Sequence, residues 1–76
     1  MDTGNKFPER LRRLREQTGR KQYAVAECCG VTRRTFRRYE LGELEPTRQP
    51  IINIADYFDV SADYLLGRTD NPKINK

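Results

Sequence analysis

Residues 22–40 read QYAVAECCGVTRRTFRRYE, and the fold turns on this stretch. It divides into a short helix, a tight turn at Cys29, Gly30 and Val31, and a second helix carrying four arginines. With Arg33 at zero on a helical wheel and ~100° per residue, Arg37, Arg34 and Arg38 fall at about 40°, 100° and 140°. Phe36 and Tyr39 fall opposite, at about 300° and 240° on the same step. One face is therefore cationic and the other aromatic. Such a helix can rest its rings on a core while presenting guanidinium groups to an anionic partner. Gly30 can adopt the left-handed conformation that a sharp interhelical turn needs. Thr32 is placed to cap the arginine helix, accepting from the N–H of Arg34 or Thr35.

On the N-terminal side, residues 1–6 lack periodicity and are expected to be a flexible arm. Pro8 suits the first position of a helix, where its missing N–H costs nothing. Phe7, Leu11 and Leu14 recur at i, i+4 and i+7, which predicts an amphipathic helix over 8–18 ended by Gly19. Arg10, Arg12 and Arg13 project from its polar sides and are expected to be mostly solvated. The second helix is predicted over 22–28, burying Val25, Ala26 and Cys29. The third is expected to end near Leu41, with Gly42 after it. Residues 43–46 form a loop. Thr47 is a candidate cap for the fourth helix, whose start is left open between Thr47 and Gln49 because Pro50 favours the first helical position. Ile51, Ile54, Ala55 and Phe58 give that helix its apolar stripe. Ser61 caps a short last helix holding Leu65 and Leu66, closed by Gly67. Residues 68–76, RTDNPKINK, are polar and are expected to fray.

Seventy-six residues make one small domain, able to bury only about 60% of its unfolded surface. No apolar run approaches the ~20 residues of a membrane span, and the N-terminus lacks an export signal, so a cytoplasmic location is expected. The net charge of +4 is unevenly spread: residues 10–38 carry +8, residues 39–76 carry −3 and the first nine carry −1. A concentrated basic half is the electrostatic footprint of a nucleic-acid binder. Cys28 and Cys29 are adjacent, a poor geometry for a disulfide, and the chain has no histidine. Zinc spacing is absent, and no metal or cofactor is expected. The same lack of histidine, with carboxylates scattered, leaves no acid–base constellation, so the chain is not read as an enzyme.

The predicted all-α arrangement of five helices resembles the lambda-repressor-like helix-turn-helix domains of phage repressors, Cro proteins and bacterial XRE-type regulators. The resemblance spans 7–67 and rests on Gln22, Val25-Ala26, Gly30-Val31-Thr32, Tyr39-Glu40-x-Gly42, Pro46-Thr47 and the segment IADYFDVSADYLLG. It implies that the third helix enters the major groove with its N-terminal residues at base edges. By position, the implied base-reading candidates are Thr32, Arg33, Arg34 and Arg38. Arginine suits this because its planar fork can donate twice to guanine O6 and N7. Each arginine has the plainer alternative of a phosphate contact, the commoner class. Lys21, Gln22, Arg37 and Arg48 are the phosphate candidates. Gln22 is also expected to support a side chain of the recognition helix. Lys21 stands where the family usually has Ser or Thr, and Arg20 where it usually has an apolar residue. The resemblance further implies a structural pair between Arg15 and Glu40, linking the first helix to the end of the third.

The expected function is sequence-specific binding of double-stranded DNA by a transcriptional regulator, most simply a repressor. The rival is an antitoxin or other protein-interaction module that reuses the fold, its acidic half meeting a basic partner. Four arginines on the groove face favour DNA, and aromatics read as buried disfavour RNA. One recognition helix discriminates too few base pairs to find a single genomic site, so the expected partner is a pseudo-palindromic operator bound by a homodimer, formed in solution or only on DNA. The sequence leaves no room after the domain for a sensor, so any such part is expected only if the chain is a piece of a longer regulator.

Overall fold

The structure, a computed structural model, describes residues 6–73. The described residues form five helices, α1 (Phe7–Thr18), α2 (Gln22–Cys29), α3 (Arg33–Leu41), α4 (Arg48–Phe58) and α5 (Ala62–Leu65). Each helix supplies one of the largest fully buried side chains: Leu11, Val25, Phe36, Ile54 and Leu65. The core is thus a point where five apolar stripes meet. α2 packs on both α3 and α4, α1 packs on α3 and α5, and α5 closes on α4. Tyr39 meets Phe36 and Phe7 edge-on, each with ring centroids 6.4 Å apart. The aromatic face of α3 is accordingly turned to the core, as the wheel predicts, and Tyr39 meets α1 there.

The helix ends follow the local chemistry. Gly30 (φ 75°) closes α2 in the left-handed region, and its N–H and that of Val31 return to Glu27 and Ala26 carbonyls at 3.1 Å. Thr32 caps α3 by accepting from the Thr35 N–H at 3.1 Å. Gly42 (φ 76°) ends α3, and a Cβ there would already touch Pro8 Cγ at 3.4 Å. Ser61 caps α5, accepting from the Tyr64 N–H at 3.0 Å. α1 begins one residue before the expected start, with Pro8 second, and α2 extends one residue further, to Cys29.

α4 begins at Arg48, between the two expected starts, and Pro50 is its third residue. The first four N–H groups of a helix have no partner within it, so a proline there forfeits no hydrogen bond. The ladder starts with Ile51 N–H to the Thr47 carbonyl at 3.4 Å, and the Thr47 side chain makes no cap bond.

Arg12 and Arg13 are exposed as expected, and Arg10 is the exception: only 11% of its side chain is exposed. Its guanidinium lies 4.1 Å from the Tyr64 ring centroid and donates to the carbonyls of Tyr64 (2.5 Å) and Thr69 (2.7 Å) and to Asp70 Oδ1 (2.5 Å). The segment after Gly67 does not fray throughout, because Thr69 and Asp70 are held by Arg10, and Pro72 accepts from the Ser61 N–H at 2.9 Å. Lys6, the described residue of the expected arm, also reaches Asp70 at 3.4 Å. The remainder of the arm, and residues 74–76 of the tail, lie outside the described residues.

Hydrogen bonds donated by a charged group contribute about 1.5–3 kcal/mol each. Arg10→Ala should therefore lower stability by roughly 2 kcal/mol in chemical denaturation, and the Ser61 amide should exchange with deuterium faster. The Arg10 hydrogen bond, helped by the Lys6 charge, holds the Asp70 carboxyl below its ordinary range. A depressed folded pKa gives a contribution that is complete at neutral pH and lost as pH falls through that lowered value. Wild type should accordingly exceed Asp70→Asn in stability at neutral pH, and the difference should vanish in acid.

Candidate nucleic-acid interface

Local sequence places the candidate side chains. The turn at Gly30 brings α3 back across α2, and burial of Phe36 and Tyr39 leaves Arg33, Arg34, Arg37 and Arg38 exposed on the other side. Arg34, Arg37 and Arg38 border one concavity, together with Leu41 and Glu43. Arg33 borders another, with Lys21, Gln22, Tyr23 and Arg15. The four arginines thus form a continuous face along α3 that runs into the start of α2. Among the described residues, Arg33, Arg34 and Arg37 make no ion pair, while Arg38 Nε stands 3.8 Å from Glu43 Oε1.

The remaining candidates divide. Lys21 precedes α2 in extended conformation and its side chain makes no cap bond there. Thr32 is exposed, but its hydroxyl donates to Thr35 Oγ1 at 3.1 Å while accepting from the Thr35 N–H, which leaves it one lone pair for a base donor. Arg48 is exposed as the first residue of α4 and lines neither concavity. Arg20 puts its guanidinium 5.7 Å from the Tyr57 ring centroid, which explains how a cation fits at an otherwise apolar corner.

Arg15 and Glu40 meet as the resemblance implies. Arg15 donates from Nε to Glu40 Oε2 at 2.5 Å and from Nη2 to Oε1 at 3.2 Å, with its Nη1 on the Arg20 carbonyl at 3.2 Å. Gln22 Nε2 donates to Glu40 Oε1 at 2.9 Å, so Gln22 does support a side chain of α3. The Glu40 side chain is only 4% exposed, and its carboxylate ties α1, α2 and α3 together. One amide hydrogen of Gln22 is left over for an outside acceptor.

Sequence reasoning did not single out Tyr23, Leu41 or Glu43. Tyr23 and Leu41 are 63% and 56% exposed, large groups at the borders of the arginine face. Tyr23 follows Gln22 directly, and that adjacency was the available signal. The basic half is also less available than its charge suggests. Arg10 and Arg15 are committed inward, and Arg13 pairs with Glu9 at 3.4 Å. Cys29 is buried, which pushes its thiol pKa up to about 12 and leaves it inert. Among the described residues no group of three or more His, Cys, Asp or Glu could hold a metal ion.

Comparison with known proteins places this geometry. The family described as "Helix-turn-helix domain" matches residues 7–66, nearly the whole described chain. The chain belongs to the helix-turn-helix family. Its fold is that of the lambda-repressor-like domains, and it overlays the P22 c2 repressor protein, solved in complex with synthetic operator 9T, at a TM-score of 0.76. That match is 28% identical and covers 79% of this chain and 91% of the repressor chain. An uncharacterized HTH-type transcriptional regulator, YqaE of Bacillus subtilis (strain 168), is 41% identical over 90% of this chain and 59% of its own length. The cryptic phage CTXphi transcriptional repressor RstR of Vibrio cholerae is 35% identical over 83% of this chain and 56% of its own length. The chain thus spans less than two thirds of the length of these last two regulators.

Removing one member of a buried ion pair strands the other, at a cost of about 3 kcal/mol or more. Arg15→Ala should lower stability by that order, yet leave affinity for DNA unchanged once the measurement is corrected for the folded fraction. Unchanged stability with weakened binding would instead make Arg15 a contact residue.

Proposed function

We propose that this protein is a transcriptional regulator that binds double-stranded DNA in a sequence-specific way, most simply as a repressor occupying a promoter. The observation that carries the reading is the arginine face of α3: four exposed guanidiniums on a helix whose opposite side is locked into the core. α3 lies in the major groove, with Arg34 and Arg38 as the leading base readers and Arg33 and Thr32 beside them. Arg37, Lys21, Gln22 and Arg48 hold phosphates. The split follows the family pattern by position. A guanidinium fork at a base-reading position matches guanine O6 and N7, and the remaining residues take the commoner contacts to the sugar–phosphate rails. The fold match to a repressor bound to its operator supports this placement. No described helix is long and apolar enough to cross a membrane, and we place the protein in the cytoplasm.

Two copies bind a two-fold operator. A single α3 offers a few bidentate contacts, each discriminating by about 1–3 kcal/mol, too little among ~10⁶ or more competing sites. Selection from a random duplex pool should recover a pseudo-palindrome with half-site centres roughly 34 Å apart. Sedimentation of protein with that site should give two chains per duplex. One chain on an asymmetric site would refute the dimer.

Counterion release sets the electrostatic test. Affinity should fall steeply with salt, at a log–log slope of about −0.9 per phosphate neutralised. Arg37→Ala should weaken all sequences alike and flatten that slope by about one unit. Salt-indifferent binding would contradict the DNA reading and favour a protein-interaction role.

A further inference from the structure

Glu43 is a carboxylate on a face otherwise built for an anion. It borders the concavity formed by Arg34, Arg37, Arg38 and Leu41. Its backbone is fixed, because its N–H returns to the Arg38 carbonyl at 2.9 Å across the left-handed Gly42. Its Oε1 stands 3.8 Å from Arg38 Nε, the side chains of Arg38 and Glu43 being 49% and 58% exposed. An ion pair that open to solvent adds little to folding stability. Stability therefore does not explain the carboxylate.

We infer that Glu43 sets the sequence discrimination of the arginine face by positioning Arg38. This rests on the DNA reading above and adds a specificity residue to it. The carboxylate stands beside Nε, at the side of the guanidinium and at ion-pair rather than hydrogen-bond distance, and among the described residues no hydrogen bond or ion pair occupies the terminal Nη fork. That fork is a two-donor edge able to address guanine O6 and N7 together. An untethered arginine can swing to any nearby phosphate and gain affinity without sequence information. The same carboxylate repels phosphates that approach this end of α3 in a wrong register. Such a repulsive element lowers affinity for all DNA and lowers it most where no base contact compensates. Arg33, Arg34 and Arg37 make no ion pair with a carboxylate among the described residues, so the positioning, unlike the general repulsion, is confined to Arg38.

The test compares the natural chain, Glu43→Gln, Arg38→Ala and the double variant. The probes are the highest-affinity duplex from a random pool, its single-base-pair variants and an unrelated duplex of equal length. Arg38→Ala identifies the base pair that Arg38 reads. Glu43→Gln should tighten binding to the unrelated duplex by about three- to tenfold, and shrink the preference at that one base pair by a similar factor. In the Arg38→Ala background the same substitution should leave every base preference unchanged. A Glu43→Gln effect equal at all positions, no effect, or an intact preference at the Arg38 base pair overturns the role of Glu43 while the DNA reading stands. Failure of the natural chain to select any site overturns both.

Discussion

A carboxylate removed from water must be matched by donors, and the Glu40 side chain meets that requirement from two other helices at once. Arg15 of α1 grips both oxygens and Gln22 of α2 adds a third hydrogen bond. An unmatched charge in that position would cost several kcal/mol, so the network favours the arrangement of the three helices that brings these donors together. On the wheel that separates the two faces of α3, Glu40 falls at about 340°, between Phe36 and Arg33. The network therefore sits at the seam between core and exposed arginines. It fixes how far α3 is rotated about its own axis, and with it the direction in which the guanidiniums point.

That arrangement sorts the basic residues into two populations. Arg10 and Arg15 face inward and work as struts, one closing the segment after α5 onto α1 and the other holding the end of α3. Lys21, Arg33, Arg34, Arg37 and Arg38 face outward. A charge tally over the sequence does not separate these populations, because both contribute equally to it. What separates them is whether a residue lies opposite a carbonyl or carboxylate that is itself withdrawn from solvent.

Much of this was legible in sequence because the deciding interactions are local. Gly30 and Gly42, the Thr32 and Ser61 caps, and the segregation of arginine from aromatic on α3 each depend on residues within one or two helical turns. The Arg15–Glu40 pair, 25 residues apart, was accessible only through the family resemblance. Arg10 could not be told apart from Arg12 and Arg13 because its partners lie 54 to 60 residues downstream and two of them are backbone carbonyls, which carry no sequence signature. The start of α4 was left open because proline forfeits no hydrogen bond anywhere in the first turn, so Pro50 does not mark a unique boundary. Glu43 was overlooked as a loop residue, although its place just past the glycine cap of α3 puts it back over the last turn.

The central claim is that α3 meets base edges in the major groove. Methylation interference on a selected operator addresses it directly, because guanine N7 lies in the major groove and adenine N3 in the minor groove. Methylation at guanine N7 should block binding at a few positions, grouped on one face of the duplex and repeated symmetrically about the operator centre. Interference confined to adenine N3, or none at guanine N7, would contradict the placement of α3.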